Sequence, residues 1–80
     1  MRWALHLSAD AVAMLHRMPR TMLPGVRDIL QSLALNPTPP GMTSDPDEPS
    51  YCQIATPGDY LITYEIVDER HLIHILAIEE

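Results

Sequence analysis

Tyr51, Glu65 and His71 have side chains suited to moving protons. A phenol donates, a carboxylate accepts and an imidazole does either near neutrality, so the three are candidates for acid–base catalysis. His74 lies three residues beyond His71. Residues three apart on a strand point to opposite faces, so the two imidazoles cannot hold one ion without a bulge. No metal site and no cofactor is expected, and His74 reads as a partly buried histidine bonded to a neighbour. Cys52 is the lone cysteine. As a nucleophile it needs a cation or a histidine beside it to lower its pKa, and the plainer reading is a small apolar filler. Trp3 fits a core position at least as well as a ligand platform.

Charge works against phosphate chemistry. The 80 residues carry five arginines, no lysine and eleven carboxylates, a net of −6. Residues 1–36 hold four arginines against Asp10 and Asp28, a net of +2; residues 37–80 hold Arg70 against nine carboxylates, a net of −8. Such a field repels a nucleic-acid backbone. Arg17, Arg20 and Arg27 form the only basic grouping. They are weak candidates for nucleic-acid binding, with solvated charge at helix ends as the competing role.

The elements that must position these groups follow from hydrophobic period. Trp3, Leu5 and Leu7 alternate with Arg2, Ala4 and His6, as in a half-buried strand. Ser8 can cap a helix that carries Ala11, Met14, Leu15 and Met18 on one stripe and stops at Pro19. Val26, Ile29, Leu30 and Leu33 define a second helix starting near Pro24 and ending at Asn36-Pro37. Residues 37–50 contain five prolines and three carboxylates and read as a long mobile loop. Three strands follow, at residues 51–55, 59–67 and 71–78, joined through Thr56-Pro57-Gly58-Asp59 and through Asp68-Glu69-Arg70. The predicted class is α+β, in the order β-α-α-β-β-β, with both helices on one face of a small, mainly antiparallel sheet. One domain spans 1–80. With no long apolar run and no signal-peptide pattern, a cytoplasmic protein is expected.

The order and several motifs resemble the RelE/ParE toxin superfamily. The residues that carry the likeness are Trp3-x-Leu5-x-Leu7-Ser8, Leu33-x-x-Asn36-Pro37-x-Pro39-x-Gly41, and Gly58-Asp59-Tyr60 with Tyr64-Glu65-Ile66. The resemblance implies the toxin half of a bacterial type II toxin–antitoxin pair, with a cognate antitoxin as partner. RelE-like members inhibit translation by cutting messenger RNA on the ribosome with Lys or Arg from the C-terminal sheet and Arg and Tyr from a tail. ParE-like members act on gyrase. Against that pattern, Cys52 and Ile54 stand at expected basic positions, Leu61 replaces an arginine, and the chain ends at Glu79-Glu80 before any such tail. Losing one donor aimed at transition-state charge costs on the order of 3 kcal/mol, so several losses should leave little catalysis.

Strand parity then predicts what replaces the cations. With Tyr60, Ile62, Tyr64 and Ile66 toward the helices, Leu61, Thr63, Glu65 and Val67 face away, and Cys52, Ile54, Ile73 and Ile75 are expected to join them. Cys52, Ile54, Leu61, Thr63, Ile73 and Ile75 would form an apolar protein-binding face, or a second core covered by the 37–50 loop. The leading functional expectation is an antitoxin-binding, toxin-like protein with RNase activity reduced or lost. The antitoxin would lie on the sheet or along the helical pair, where an acidic segment could meet the arginines. The alternatives are a ribosome-dependent mRNA endoribonuclease using His71, Glu65 and Tyr51, or, further off, a gyrase inhibitor. Self-association through the apolar face is a structural alternative.

Overall fold

The computed structural model describes residues 2–80. Its elements are β1 (Ala4–Leu7), α1 (Ala9–Arg17), α2 (Leu23–Leu35), β2 (Thr43–Ser44), β3 (Tyr51–Ala55), β4 (Leu61–Val67), a 3-10 turn (Asp68–Arg70) and β5 (Leu72–Glu79). They form the expected α+β arrangement: one five-stranded sheet in the order β1-β5-β4-β3-β2, antiparallel except where β1 runs parallel to β5. That parallel pair needs a long crossover, and α1 and α2 belong to it. The buried helix residues Ala11, Val26, Leu30 and Leu33 join Ile54, Ile62, Tyr64, Ile73, Ile75 and Ile78 of the sheet in one core.

Ser8 joins three elements at once. Its Oγ accepts the Ala11 N–H at 3.1 Å as the α1 N-cap and donates to the Leu76 carbonyl at 2.7 Å, while its own N–H donates to Ile75 O at 2.9 Å. Leu76 is the extra residue of a β-bulge, since Thr63 pairs with Ala77 and Tyr64 with Ile75. The end of β1, the start of α1 and the bulge in β5 are therefore locked together.

Residues 37–50, read from composition as a loop, hold a two-residue strand that lengthens the sheet: Thr43 pairs with Gln53 and Ser44 with Cys52. The segment is also tied down elsewhere. Tyr64 OH donates to Pro37 O at 2.7 Å, Asp45 N–H to Tyr51 O at 2.9 Å, and Met42 packs on the core. It borders the sheet at the β3 edge and does not make a second core on the face away from the helices. Gly58, in the turn before β4, has φ +87°, and a Cβ there would run into Met22 Sδ. The positive φ is what favours glycine there, since the Met22 thioether sits near the end of a flexible side chain that can move aside.

Candidate functional site

Register decides which side chains share a face, and it corrects the parity expected above. In the β3–β4 pair Cys52 lies opposite Tyr64 and Ile54 opposite Ile62. Cys52 and Ile54 are thus on the helix side, 1% and 6% exposed. Ile73 and Ile75 are also core residues, fully buried. The β3 error comes from the connection: five residues, 56–60, separate the paired Ala55 and Leu61, so even positions of β3 face with even positions of β4. The β5 error comes from the Leu76 bulge, which lets Ile73, Ile75 and Ile78 all reach the core. Leu61 and Thr63 do face away from the helices, and both are half-buried. Of the six residues expected to form an apolar face, only Leu61 and Thr63 are therefore on this side, with Val67, Leu72 and Ala77 as its further non-polar positions.

What occupies the open face instead is a row of titratable groups. Tyr51 lies opposite Glu65, Glu65 opposite His74, and His74 opposite His6, one residue on each of β3, β4, β5 and β1. With strands about 4.8 Å apart the row spans about 14 Å. The His6 and His74 rings meet edge-on with centroids 5.0 Å apart. Beside this row runs a second one, Thr43, Gln53, Thr63 and Ala77, in which Gln53 Nε2 donates to Thr63 Oγ1 at 3.3 Å. Thr43, Asp45, Pro46, Tyr51, Gln53 and Thr63 line a groove of about 420 Å³ at this edge of the sheet.

Two of the three acid–base candidates therefore meet, and the third does not. Tyr51 and Glu65 are direct cross-strand partners. His71 ends the 3-10 turn in the left-handed region, φ +51°, and stacks on Trp3 with ring centroids 4.0 Å apart. Its place in the row is taken by His74, with His6 beyond it. His6 was the residue missed, although its alternation with Leu5 and Leu7 already put it on the outer side of a strand. Placing the first strand beside the last would have found the pair.

Among the described residues the five strands themselves hold no arginine or lysine; Arg2 stands just ahead of β1, on the His6 side of its alternation, and Arg70 in the turn before β5. Arg17, Arg20 and Arg27 are exposed on the helical side and do not gather at one point. Arg17 borders a groove with Asp10, Met14 and Glu79, while Arg27 borders the groove between the helices with Leu15, Leu23 and Leu30. Among the described residues no group of three or more His, Cys, Asp or Glu side chains is arranged to hold a metal ion. No helix is long and apolar enough to cross a membrane.

Cys52 is a poor nucleophile where it sits. Burial pushes its thiol pKa up, against a smaller lowering by Tyr64, and the Tyr64 phenol is raised as well, first by burial and then by Cys52. Both groups are neutral acids whose ionisation is harder in the fold than in the unfolded chain. Their contribution to stability is complete below the ordinary values of 9.0 and 10.0 and drains as pH rises beyond them. Urea midpoints measured from pH 7 to 11 should hold to about pH 9 and then fall. Tyr64→Phe should be less stable at pH 7, by about 1 kcal/mol for its bond to Pro37, with a shallower alkaline decline.

No protein-family profile matches the chain, and no curated protein sequence matches it. Solved structures do. The intact E. coli RelBE toxin–antitoxin complex contains a chain that superposes with a TM-score of 0.84 at 14% identity, over 98% of this chain and 95% of that one. The RelBE2 toxin–antitoxin complex of Mycobacterium tuberculosis gives 0.82 at 21% identity, over 100% and 99%. The archaeal RelE–RelB complex of Pyrococcus horikoshii gives 0.80 at 17% identity, over 99% and 94%. The chain has the RelE-like toxin fold.

Proposed function

We propose that the chain is the toxin-like member of a type II toxin–antitoxin pair, working in the bacterial cytoplasm. It binds a cognate antitoxin and cleaves RNA weakly or not at all. The observation that carries this reading is the open sheet face, whose strands present Tyr51, Glu65, His74, His6, Gln53 and Thr63 and hold no arginine or lysine among the described residues, with Arg2 just ahead of β1. Phosphate affinity and phosphorane stabilisation both rest on such cations, and within the strands of this face the groups able to carry positive charge are the His6 and His74 imidazoles.

Of the two seats expected for the antitoxin, the sheet face offers Leu61, Val67, Leu72 and Ala77 dispersed among polar groups. The helical pair offers a compact apolar groove. Leu15, Leu23 and Leu30 line a groove of about 290 Å³ between α1 and α2, with His16 and Arg27 also on its lining. A helix with an apolar stripe and an acidic flank fits that pattern. Co-purification with the product of the adjacent small reading frame should recover a stable pair, weakened about tenfold by Arg27→Glu. Failure to recover any partner at micromolar concentration would defeat the binding reading.

A second reading has its own observation, the row of acid–base groups. If the ribosome presents messenger RNA to this face, His74 or Glu65 could take the 2′-OH proton, and His6 or Tyr51 could protonate the leaving oxygen. Primer extension on ribosome-bound message decides between the two. A defined cut abolished by His74→Ala establishes the enzyme, and no cut supports the binding protein. Gyrase supercoiling with ATP is expected to be unaffected.

A further inference from the structure

The start of β1, the residues after α2, the start of β3 and the end of β4 leave a groove of about 390 Å³ between them. It is separate from both the open face and the helical groove. Trp3, Pro37, Pro49, Ser50 and Ile66 line it together with Asp68. The indole of Trp3 is half-buried, and one of its faces is covered by the His71 ring, 4.0 Å away and 20° from parallel. His71 is not on the lining whereas Trp3 is, and the indole face away from His71 is the one left for a ligand.

Two of the backbone donors near the groove are already used: Trp3 N–H bonds Ala34 O at 2.7 Å, and Thr38 N–H bonds Asn36 Oδ1 at 3.1 Å. The acceptors on the lining are the Asp68 carboxylate, its one formal charge, and the hydroxyl oxygens of Ser50 and Thr38, of which the Thr38 O–H already donates to Asn36 Oδ1 at 3.3 Å. No cationic residue among the described ones lines it. The neighbouring sequence is acidic on balance, with Asp45, Asp47 and Glu48 just before Pro49 and Glu69 beside Asp68, against Arg2 and Arg70. An aromatic face, a carboxylate and apolar walls in an acidic field select a planar cation with an aliphatic stem.

We propose that this groove binds an arginine side chain from an extended segment of a partner peptide. The guanidinium stacks on the Trp3 indole and forks to the Asp68 carboxylate, and its methylenes lie on Pro37, Pro49 and Ile66. A nucleic acid is excluded by the same acidic field. The site does not depend on where an antitoxin helix lies, so it stands or falls independently of the helical groove.

Trp3 is the only tryptophan, so its emission reports the site directly. The full chain is titrated with acetyl-Gly-Arg-Gly-amide and with the same peptide carrying citrulline, which keeps the shape and loses the charge. The arginine peptide should change Trp3 emission saturably, with a Kd on the order of millimolar. The citrulline peptide, and the arginine peptide on Asp68→Asn, should bind at least fivefold more weakly. Glu69→Gln removes the same charge next door and should stay within twofold of the parent, which separates a specific carboxylate from diffuse charge. No emission change, equal titration by the two peptides, or equal losses in Asp68→Asn and Glu69→Gln would overturn the proposal. Far-UV dichroism confirms that each variant is folded.

Discussion

Ile54→Lys should unfold the domain at 25 °C, while Gln53→Lys, one residue away, should move the urea midpoint hardly at all. Ile54 is 6% exposed and lies opposite Ile62 in the core, whereas Gln53 is exposed on the other face. Lysine at 54 forfeits the buried aliphatic side chain, worth about 1.5–3 kcal/mol, and adds an unpaired ammonium whose burial costs several more. An 80-residue domain has only about 4–12 kcal/mol of stability to lose. At Gln53 the ammonium stays in water, and the change should lie within about 0.5 kcal/mol. Far-UV dichroism and urea titration of the two variants measure both. If Ile54→Lys were tolerated and Gln53→Lys unfolded the chain, the face assignment would be reversed.

Putting cations on the open face should raise the chain's affinity for RNA. Gln53→Lys, Leu61→Arg and Glu65→Gln change three outward-facing positions, and the net charge moves from −6 to −3. Two new cations can make up to two phosphate contacts, each steepening the salt slope for a single strand by about 0.7. The triple variant should bind a short single-stranded RNA at least tenfold more tightly than the parent at low salt. Its log–log slope should approach about −1.4, with the parent near zero. Fluorescence anisotropy over a salt series reads both quantities. A parent already binding with a comparable slope would mean that cations elsewhere, such as those on the helical side, govern contact with RNA.

Most of the fold was legible because its elements repeat at their own periods. The alternation around Leu5 and Leu7 and the stripes through Ala11 and Val26 give the same strand and helices in the structure. What failed was phase between elements. Parity carried along β4 is sound, since Tyr60, Ile62 and Tyr64 are all buried, but it cannot be carried across a turn whose register depends on its length. Nor can it pass a bulge, and Leu76 looks like any other apolar strand residue. The two-residue β2 was hidden because Thr43-Ser44 sits in a proline-rich stretch and its order comes from pairing with β3.

The site was half legible for the same reason. Tyr51 and Glu65 could be chosen by type, but the neighbours that complete the row are set by strand order, which no local pattern states. His71 was the natural choice beside the sheet, and the turn that ends at it sends the ring against Trp3. The scarcity of cations, by contrast, was plain from composition: with no lysine and five arginines, only Arg2 and Arg70 lie near strands of the sheet.

The register of β3 against β4 is tested most directly by proton–proton contacts in the NMR spectrum of the unmodified chain. The account predicts cross-peaks from the Cys52 β-protons to the Tyr64 ring and from the Ile54 methyls to those of Ile62, with Tyr51 ring protons near the Glu65 side chain. Cross-peaks that instead join Cys52 to the side chains of Glu65 and Thr63, with Gln53 against the Tyr64 ring, would contradict it.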